Sequence, residues 1–424
     1  MTTPTAATAT VPEPSASGRD VFIVVMRALA MLGVVGVHVL LYHVSYDGHP
    51  DRATAVQWDW LNWSLIWCVP WFVLCGGAVN FWSIQRLWQR TSPGRERRRE
   101  TRSFIWKRLK RMVIPYAAFA VIMVALEMAL NYGGWGRCAG FGPKQALQWI
   151  VPFPHVDCLE HSRWPFWFLM FYIPVTLLGP VLAWIFRSRW GRWALLMVPT
   201  AIILLNDRFF FYGLKGIDPS DPAQIQGLVT PGMLLAGLLD IMLGFIVFFA
   251  VGFLYADGTL RRRPAVTGVV GLGIAGTTML LVTVGPYTTG QQQFPLQAGY
   301  LFWGVGLFMV MTWAKEYVER LGRPGRVGDV TTWISTRSYS IYIWHMSALA
   351  AAWWTLYVVG ARDGLYSLPI PVQHLILFAL CWVYIWVIVS VAFRFESWDF
   401  PPKWWHRMRA ERRTTPAVTG AAQR

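Results

Sequence analysis

The chain has 424 residues, 55% of them hydrophobic and only 14% charged, and a mean hydropathy of +0.39, where globular domains carry about 25% charged residues. That excludes a soluble enzyme of this length. Ten spans of about 21 residues would use roughly 210 residues, which leaves loops and tails but no large soluble domain. The 38 Lys and Arg against 22 Asp and Glu, net +16, would prompt a search for nucleic-acid contacts in a soluble protein; here their location matters more, and no nucleic acid is expected.

Residues 1–19 are rich in Thr, Ala and Pro and lack the basic start and small-residue cleavage site of a signal peptide, which predicts a short disordered cytoplasmic tail. Apolar stretches follow at Val21 to Leu41, Trp60 to Trp82, Met112 to Leu130, Trp164 to Phe186, Trp193 to Leu205, Met233 to Tyr255, Ala265 to Val284, Leu301 to Trp313, Trp333 to Val359 and Val372 to Val391. The expectation is an all-α polytopic membrane protein of about ten transmembrane helices. A membrane domain fills residues 20–399, and a basic cytoplasmic tail fills residues 400–424. The fifth and eighth stretches are short and must borrow flanking residues or sit where the bilayer is thin.

Lys and Arg concentrate in cytoplasmic loops. Between the second and third spans lie Arg86, Arg90, Arg95, Arg97, Arg98, Arg99, Arg102, Lys107, Arg108, Lys110 and Arg111, whereas the preceding loop offers only Arg52. Arg187, Arg189 and Arg192, then Arg261 to Arg263, then Lys315, Arg320, Arg323 and Arg326 fall on the same side, as does the run from Lys403 to Arg413. The loop at Gly285 to Gln297 is uncharged, and that near Arg362 and Asp363 is almost neutral. Both termini are expected in the cytoplasm of a multi-pass protein in a cell membrane, a bacterial inner or plasma membrane. Trp404 and Trp405 would anchor the last helix at the interface.

Cys68, Cys75 and Cys381 lie in spans, while Cys138 and Cys158 share a long outer loop where an oxidising compartment would permit a disulfide. His155, Asp157, Cys158, Glu160 and His161 crowd that loop without a zinc spacing, so no metal is expected. Gly271, Gly273 and Gly276 spell G-x-G-x-x-G, but inside a predicted membrane helix with no strand before it. Close helix packing explains them better than a dinucleotide. There is no Walker A loop, no H-E-x-x-H and no G-x-S-x-G.

Ionisable groups at membrane depth are costly and mark cavities or partners. Arg27 and His38 stand eleven residues apart, about 1100 degrees around the helix and only about 20 beyond three turns, so they share a face at a separation of roughly 16 Å. Snorkelling of Arg27 with a packing role for His38 is the bland alternative; both residues together favour a lined cavity. In the ninth stretch Ser338, Tyr342 and His345 stand at i, i+4 and i+7 on one stripe, which either lines a cavity or glues helices. Glu127 and Asp240 either line the cavity or pair structurally.

These residues resemble the acyltransferase-3 family of multispanning acyltransferases. The marks are Arg27, ten residues and His38; "WFVLCGG" ending at Gly77, with Cys75-Gly76 where the family usually has Ser-Gly; RLKRMVIP, with Arg108, Arg111 and Pro115; Trp167-Phe168-Leu169; "FFAVGF" from Phe248; and "SYSIYIWH" from Ser338 to His345. Many members carry a His two residues before the W-F-L Trp, a position that is Pro165 here. No long C-terminal extension for an SGNH-type domain is expected.

The resemblance implies transfer of an acyl group, often acetyl, from cytoplasmic acyl-CoA to a hydroxyl of a sugar, glycan, glycolipid or glycoside. Acyl-CoA would be the donor substrate, with the bilayer as surroundings. His38 suits the general base, because a neutral imidazole can take the acceptor's proton near neutrality. Arg27 could hold CoA phosphate or pantetheine oxygens, and Arg108 and Arg111 could meet the nucleotide end, unless they are ordinary positive-inside charge. Trp167, Ser338, Tyr342 and His345 would line the cavity, with Tyr342 and His345 polarising the thioester carbonyl. The competing class is a transporter or flippase for a lipid-linked glycan. Transporters often show internal repeats, and no repeat is visible. A structural scaffold would leave the pairing of Arg27 with His38 unexplained.

Overall fold

A computed structural model describes residues 20–41, 43–44, 50–51, 67–133, 142–150, 164–207, 231–284, 298–361, 364–365 and 367–396. The expected tails at 1–19 and 400–424, Trp404, Trp405, Cys138, Cys158 and the His155 to Arg163 cluster lie outside these residues.

The architecture is helical. Among the described residues the α-helices are α1 (Val21–Leu41), α2 (Cys68–Arg90), α3 (Arg95–Tyr132), α4 (Pro143–Leu147), α5 (Trp167–Phe186), α6 (Arg189–Asn206), α7 (Pro231–Ala256), α8 (Pro264–Val284), α9 (Ala298–Trp313), α10 (Lys315–Arg320), α11 (Arg326–Thr336), α12 (Ser338–Val358) and α13 (Ile370–Glu396). After α1, a two-residue antiparallel ladder pairs His43 with Asp51 and Val44 with Pro50. Among the described residues six helices, α1, α3, α5, α7, α8 and α13, contain windows long and apolar enough to cross a membrane, and α9 is apolar but shorter. Each of the ten predicted stretches contains helix, but the boundaries shift. The second stretch is helical from Cys68 and the helix runs on to Arg90, while residues 60–66 of that stretch lie outside the described residues. The ninth stretch is not one helix: α11 ends at Thr336, Arg337 has φ −104° and ψ 10°, and α12 begins at Ser338. Hydropathy does not register this break because Trp333 and Ile334 continue the apolar character across it.

Two-thirds of the apolar windows of α1 and α7 are buried, 67% in each, against 22% for α13. The first two are therefore central and the last is peripheral, with Val383, Trp386 and Val391 on its outward face. The start of α1 is set by Asp20, whose carboxylate accepts from the Ile23 amide at 3.1 Å, as an N-cap should. The Tyr255 hydroxyl at the end of α7 reaches the same carboxylate at 3.1 Å, which ties the two central helices together.

Helices α2 and α7 approach backbone to backbone. A Cβ on Gly77 would lie 2.7 Å from the Phe249 carbonyl oxygen, and one on Gly252 would run into the Leu74 carbonyl. "WFVLCGG" and "FFAVGF" are thus the two halves of one contact, in which glycine is required because any side chain would separate the helices. The G-x-G-x-x-G stretch divides. A Cβ on Gly271 would lie 2.8 Å from the Gly306 carbonyl oxygen of α9, whereas one on Gly273 or Gly276 would meet nothing within 4 Å. Close packing therefore explains the first of these glycines and not the other two.

Helix α3 has 38 residues, about 57 Å at 1.5 Å per residue, which far exceeds a hydrocarbon core of about 30 Å. Roughly its first five turns carry Arg95 to Arg111, and the apolar part follows, with Pro115 inside it. The Tyr339 hydroxyl donates to the Met112 carbonyl at 2.6 Å and fastens α12 to α3 at that junction.

Candidate active site

The polar residues of α1 and α12 meet along one seam. Arg27 donates from Nη2 to the Ser338 hydroxyl at 2.6 Å, and the His38 and His345 rings face each other with centroids 4.7 Å apart at 66°. The two contacts run in the same order along both helices, so the helices are parallel. From Arg27 to His38 the rise is roughly 16 Å and from Ser338 to His345 roughly 10 Å; the long guanidinium arm spans the difference. Two stripes that sequence spacing located separately are one feature of the fold.

Each histidine is held by its own helix. His38 Nδ1 lies 2.7 Å from the Val34 carbonyl, and His345 Nδ1 lies 2.6 Å from the Tyr342 carbonyl. A carbonyl only accepts, so each Nδ1 carries the hydrogen, and in the neutral ring Nε2 holds the lone pair. That is the tautomer a general base needs. His345 is 1% exposed, and its Nε2 is buried without a hydrogen-bond partner. From α13, the Cys381 thiol touches the His345 carbonyl at 3.8 Å.

Tyr342 gives its hydroxyl hydrogen to the Pro165 carbonyl, which joins α12 to the turn preceding α5. Neither Tyr342 nor the neutral His345 therefore has a spare donor for a developing oxyanion, and a role for them in polarising a thioester carbonyl has no support in these bonds. Their surroundings are aromatic. Phe168 packs on Tyr342 at 5.0 Å and stacks on Tyr172 at 5.0 Å and 18°. Phe72 adjoins both Phe168 and Tyr172, and the Arg27 guanidinium lies 5.8 Å from the Phe72 centroid. Trp167 borders this group through Phe168 and Phe245.

On the basic side, Arg108 turns inward and donates to the Ser83 hydroxyl of α2 at 3.1 Å, with Phe104 below its guanidinium. Arg111 is exposed. The two arginines that look equivalent in sequence are thus unlike, because three residues is about 300 degrees around the helix. A Cβ on Gly76 would sit 2.7 Å from the Tyr172 hydroxyl. Phe72, Tyr172 and Ser83 were not singled out from sequence. The Gly76 of the "CGG" stretch was the available signal for Tyr172, since a glycine there makes room for a large neighbour.

The isolated acids have partners on neighbouring elements. Glu127 accepts from the Trp149 indole at 2.9 Å, and Asp240 accepts from the Asn206 amide at 2.7 Å. These bonds favour structural pairing over cavity lining for both.

A family model described as an acyltransferase domain matches residues 20–395. The chain belongs to the acyltransferase-3 family. The match spans every helix described above from α1 to the last turn of α13, so the histidine seam lies inside this acyltransferase domain. Among curated proteins and among solved structures, nothing matches.

Proposed function

We propose that this member of the acyltransferase-3 family transfers an acyl group, with acetyl the expected one, from cytoplasmic acyl-CoA to a hydroxyl of a sugar, glycan or glycoside. The observation that carries this reading is the seam itself: a base-competent imidazole at His38 and a guanidinium at Arg27 on one face of a central helix, inside an acyltransferase domain. His38 Nε2 takes the hydroxyl proton as the oxygen attacks the thioester carbon, and the same proton goes to the sulfur as the CoA thiol leaves. Arg27 offers a fork of donors to pantetheine or phosphate oxygens, and Arg108 and Arg111 supply positive charge toward the nucleotide end.

The positive-inside tendency of Lys and Arg supports a reading in which the start of α1 and the first turns of α3 face the cytoplasm, with ten membrane passages and both termini on that side. Donor then enters from the Arg27 end, and acceptor from the His38 end, roughly 16 Å away along the helix. CoA never crosses the bilayer. In sealed, oriented vesicles, labelled acetyl-CoA should support transfer only from the cytoplasmic side, with acylated product on the other. Equal activity from either side of impermeable vesicles would reject the arrangement.

A further inference from the structure

The basic head of α3 points two ways. Arg108 turns in to Ser83, whereas Arg99, nine residues before it, stands about 180 degrees away around the helix. On that opposite face Arg99, Arg102, Ser103, Ile105 and Trp106 line an open pocket, Trp106 is 56% exposed, and the Lys110 ammonium lies 5.4 Å from the Trp106 ring centroid. Among the described residues no carboxylate pairs with Arg99, Arg102 or Lys110; Glu96 and Glu100 stand about 60 and 100 degrees to one side of Arg99. The same face then turns apolar. Val113, Ala117 and Val121 lie within about 40 degrees of Arg99 around the axis and are exposed, as the lipid-facing flank of a membrane helix is.

Depth decides what meets the charges. The Trp82 indole donates to the Ala256 carbonyl at 3.1 Å, and Ala256 ends α7 beside the Tyr255 that reaches Asp20 at the start of α1. Trp82 and Ser83 are thus near the edge of the apolar layer. Helices α2 and α3 run antiparallel, with Arg97 donating to the Trp88 carbonyl at 3.2 Å, and Ser83 and Arg102 each stand seven residues, roughly 10 Å, from the facing ends at Arg90 and Arg95. Arg102 is therefore near that edge too. Lys110 lies eight residues, roughly 12 Å, further toward the middle of the bilayer. Exposed cations at such depth are costly in hydrocarbon, so polar headgroups must come down along α3 to meet them.

We propose that the outward face of α3 binds an anionic glycerophospholipid. Its phosphate sits between Arg102, with Ser103, and Lys110, beside the Trp106 indole, and its acyl chains follow Val113, Ala117 and Val121. Arg99, one turn above, adds positive charge at the rim of the headgroup. A zwitterionic headgroup brings its own cation to the same place and gains less from these residues. A free phosphate or a nucleotide has no chains to lay along the apolar half, so a lipid alone uses the whole stripe. The site faces away from Arg108 and does not depend on the acyl-transfer reading.

The test offers the purified full chain, in detergent, equal amounts of phosphatidylglycerol and phosphatidylcholine with matched chains, and counts bound lipid by native mass spectrometry. The wild type should retain phosphatidylglycerol over phosphatidylcholine by at least about tenfold, since each basic residue at a headgroup contributes roughly a fivefold gain. Replacing Arg99, Arg102 and Lys110 together by Gln should abolish that preference. A control with Arg262→Gln, Arg263→Gln and Arg326→Gln removes as many exposed charges elsewhere and should leave it within about twofold. Millimolar inorganic phosphate or CoA should not displace the lipid. Where the first triple variant does not accumulate, Arg102→Gln alone keeps the test, with a loss of roughly fivefold expected. No preference in the wild type, an unchanged preference in the α3 variant, equal loss in the control, or displacement of the lipid by phosphate or CoA would each overturn the proposal.

Discussion

Two helix pairs in this molecule come close together for opposite reasons. At the α8–α9 seam the contact is made by glycines: Gly271 lies on the Gly306 carbonyl, and Gly268 faces the Trp313 side chain, where an added Cβ would stand 2.5 Å from the ring. At the α1–α12 seam the meeting residues are Arg27, His38, Ser338 and His345, and the interface is held by a guanidinium-to-hydroxyl bond and a ring contact. Packing alone would be served better by the first kind of seam, since polar groups are costly at membrane depth and small residues let helices close on dispersion. A polar seam retained at the centre of the fold is therefore evidence of use. The α2–α7 contact through Gly77 and Gly252 stands with the first kind and supplies the rigid frame behind Phe72.

Substitutions should separate the two kinds, activity without stability at one and stability without a specific chemical defect at the other. The largest effect is expected for His38→Ala. Labelled acyl transfer should fall by about 10²- to 10⁴-fold, as when a general base is removed, while the purified protein's melting temperature stays near the wild-type value. Retained turnover would remove His38 from the mechanism and make the polar seam a packing device. Arg27→Lys keeps the charge but loses the planar fork, so the KM for acyl-CoA should rise by roughly tenfold, with kcat less affected; an unchanged donor dependence would reduce Arg27 to an anchor.

At the glycine seam the readout changes. Gly306→Val should destabilise the detergent-solubilised protein by about 1–3 kcal/mol, because its Cβ would press on Ala275 and Gly271. Residual activity should track the folded fraction. The smallest effect, and opposite in sign, is expected for Gly273→Ala. Nothing lies within 4 Å of the added methyl, and alanine is favoured over glycine in a helix interior by about 0.8–1.0 kcal/mol, so the melting temperature should rise slightly. A loss there would mean that Gly273 has a contact of its own and that the seam is wider than Gly271 and Gly306.

Much of the candidate site was legible in the sequence because a helix converts spacing into direction. Eleven residues put Arg27 below His38, and seven put Ser338 below His345, without any knowledge of neighbours. Hydropathy found helix in every one of the ten apolar stretches, since burial in lipid or protein demands apolar length. It missed the break at Arg337. That break is decided by backbone geometry and by what packs alongside, to which an average over side chains is blind.

The sequence by itself determined an α-helical chain with apolar windows, a basic segment at the head of α3, and two polar stripes belonging to an acyltransferase family. Only the tertiary structure decided that the stripes face each other, that Arg108 turns in to Ser83 while Arg111 faces out, and that Glu127 and Asp240 are bound by Trp149 and Asn206. The reason is physical. Periodicity fixes which residues share a face of one helix, but which face meets which is settled by the close glycine contacts and the hydrogen bonds between helices far apart in the chain, and these cannot be read from any one helix alone.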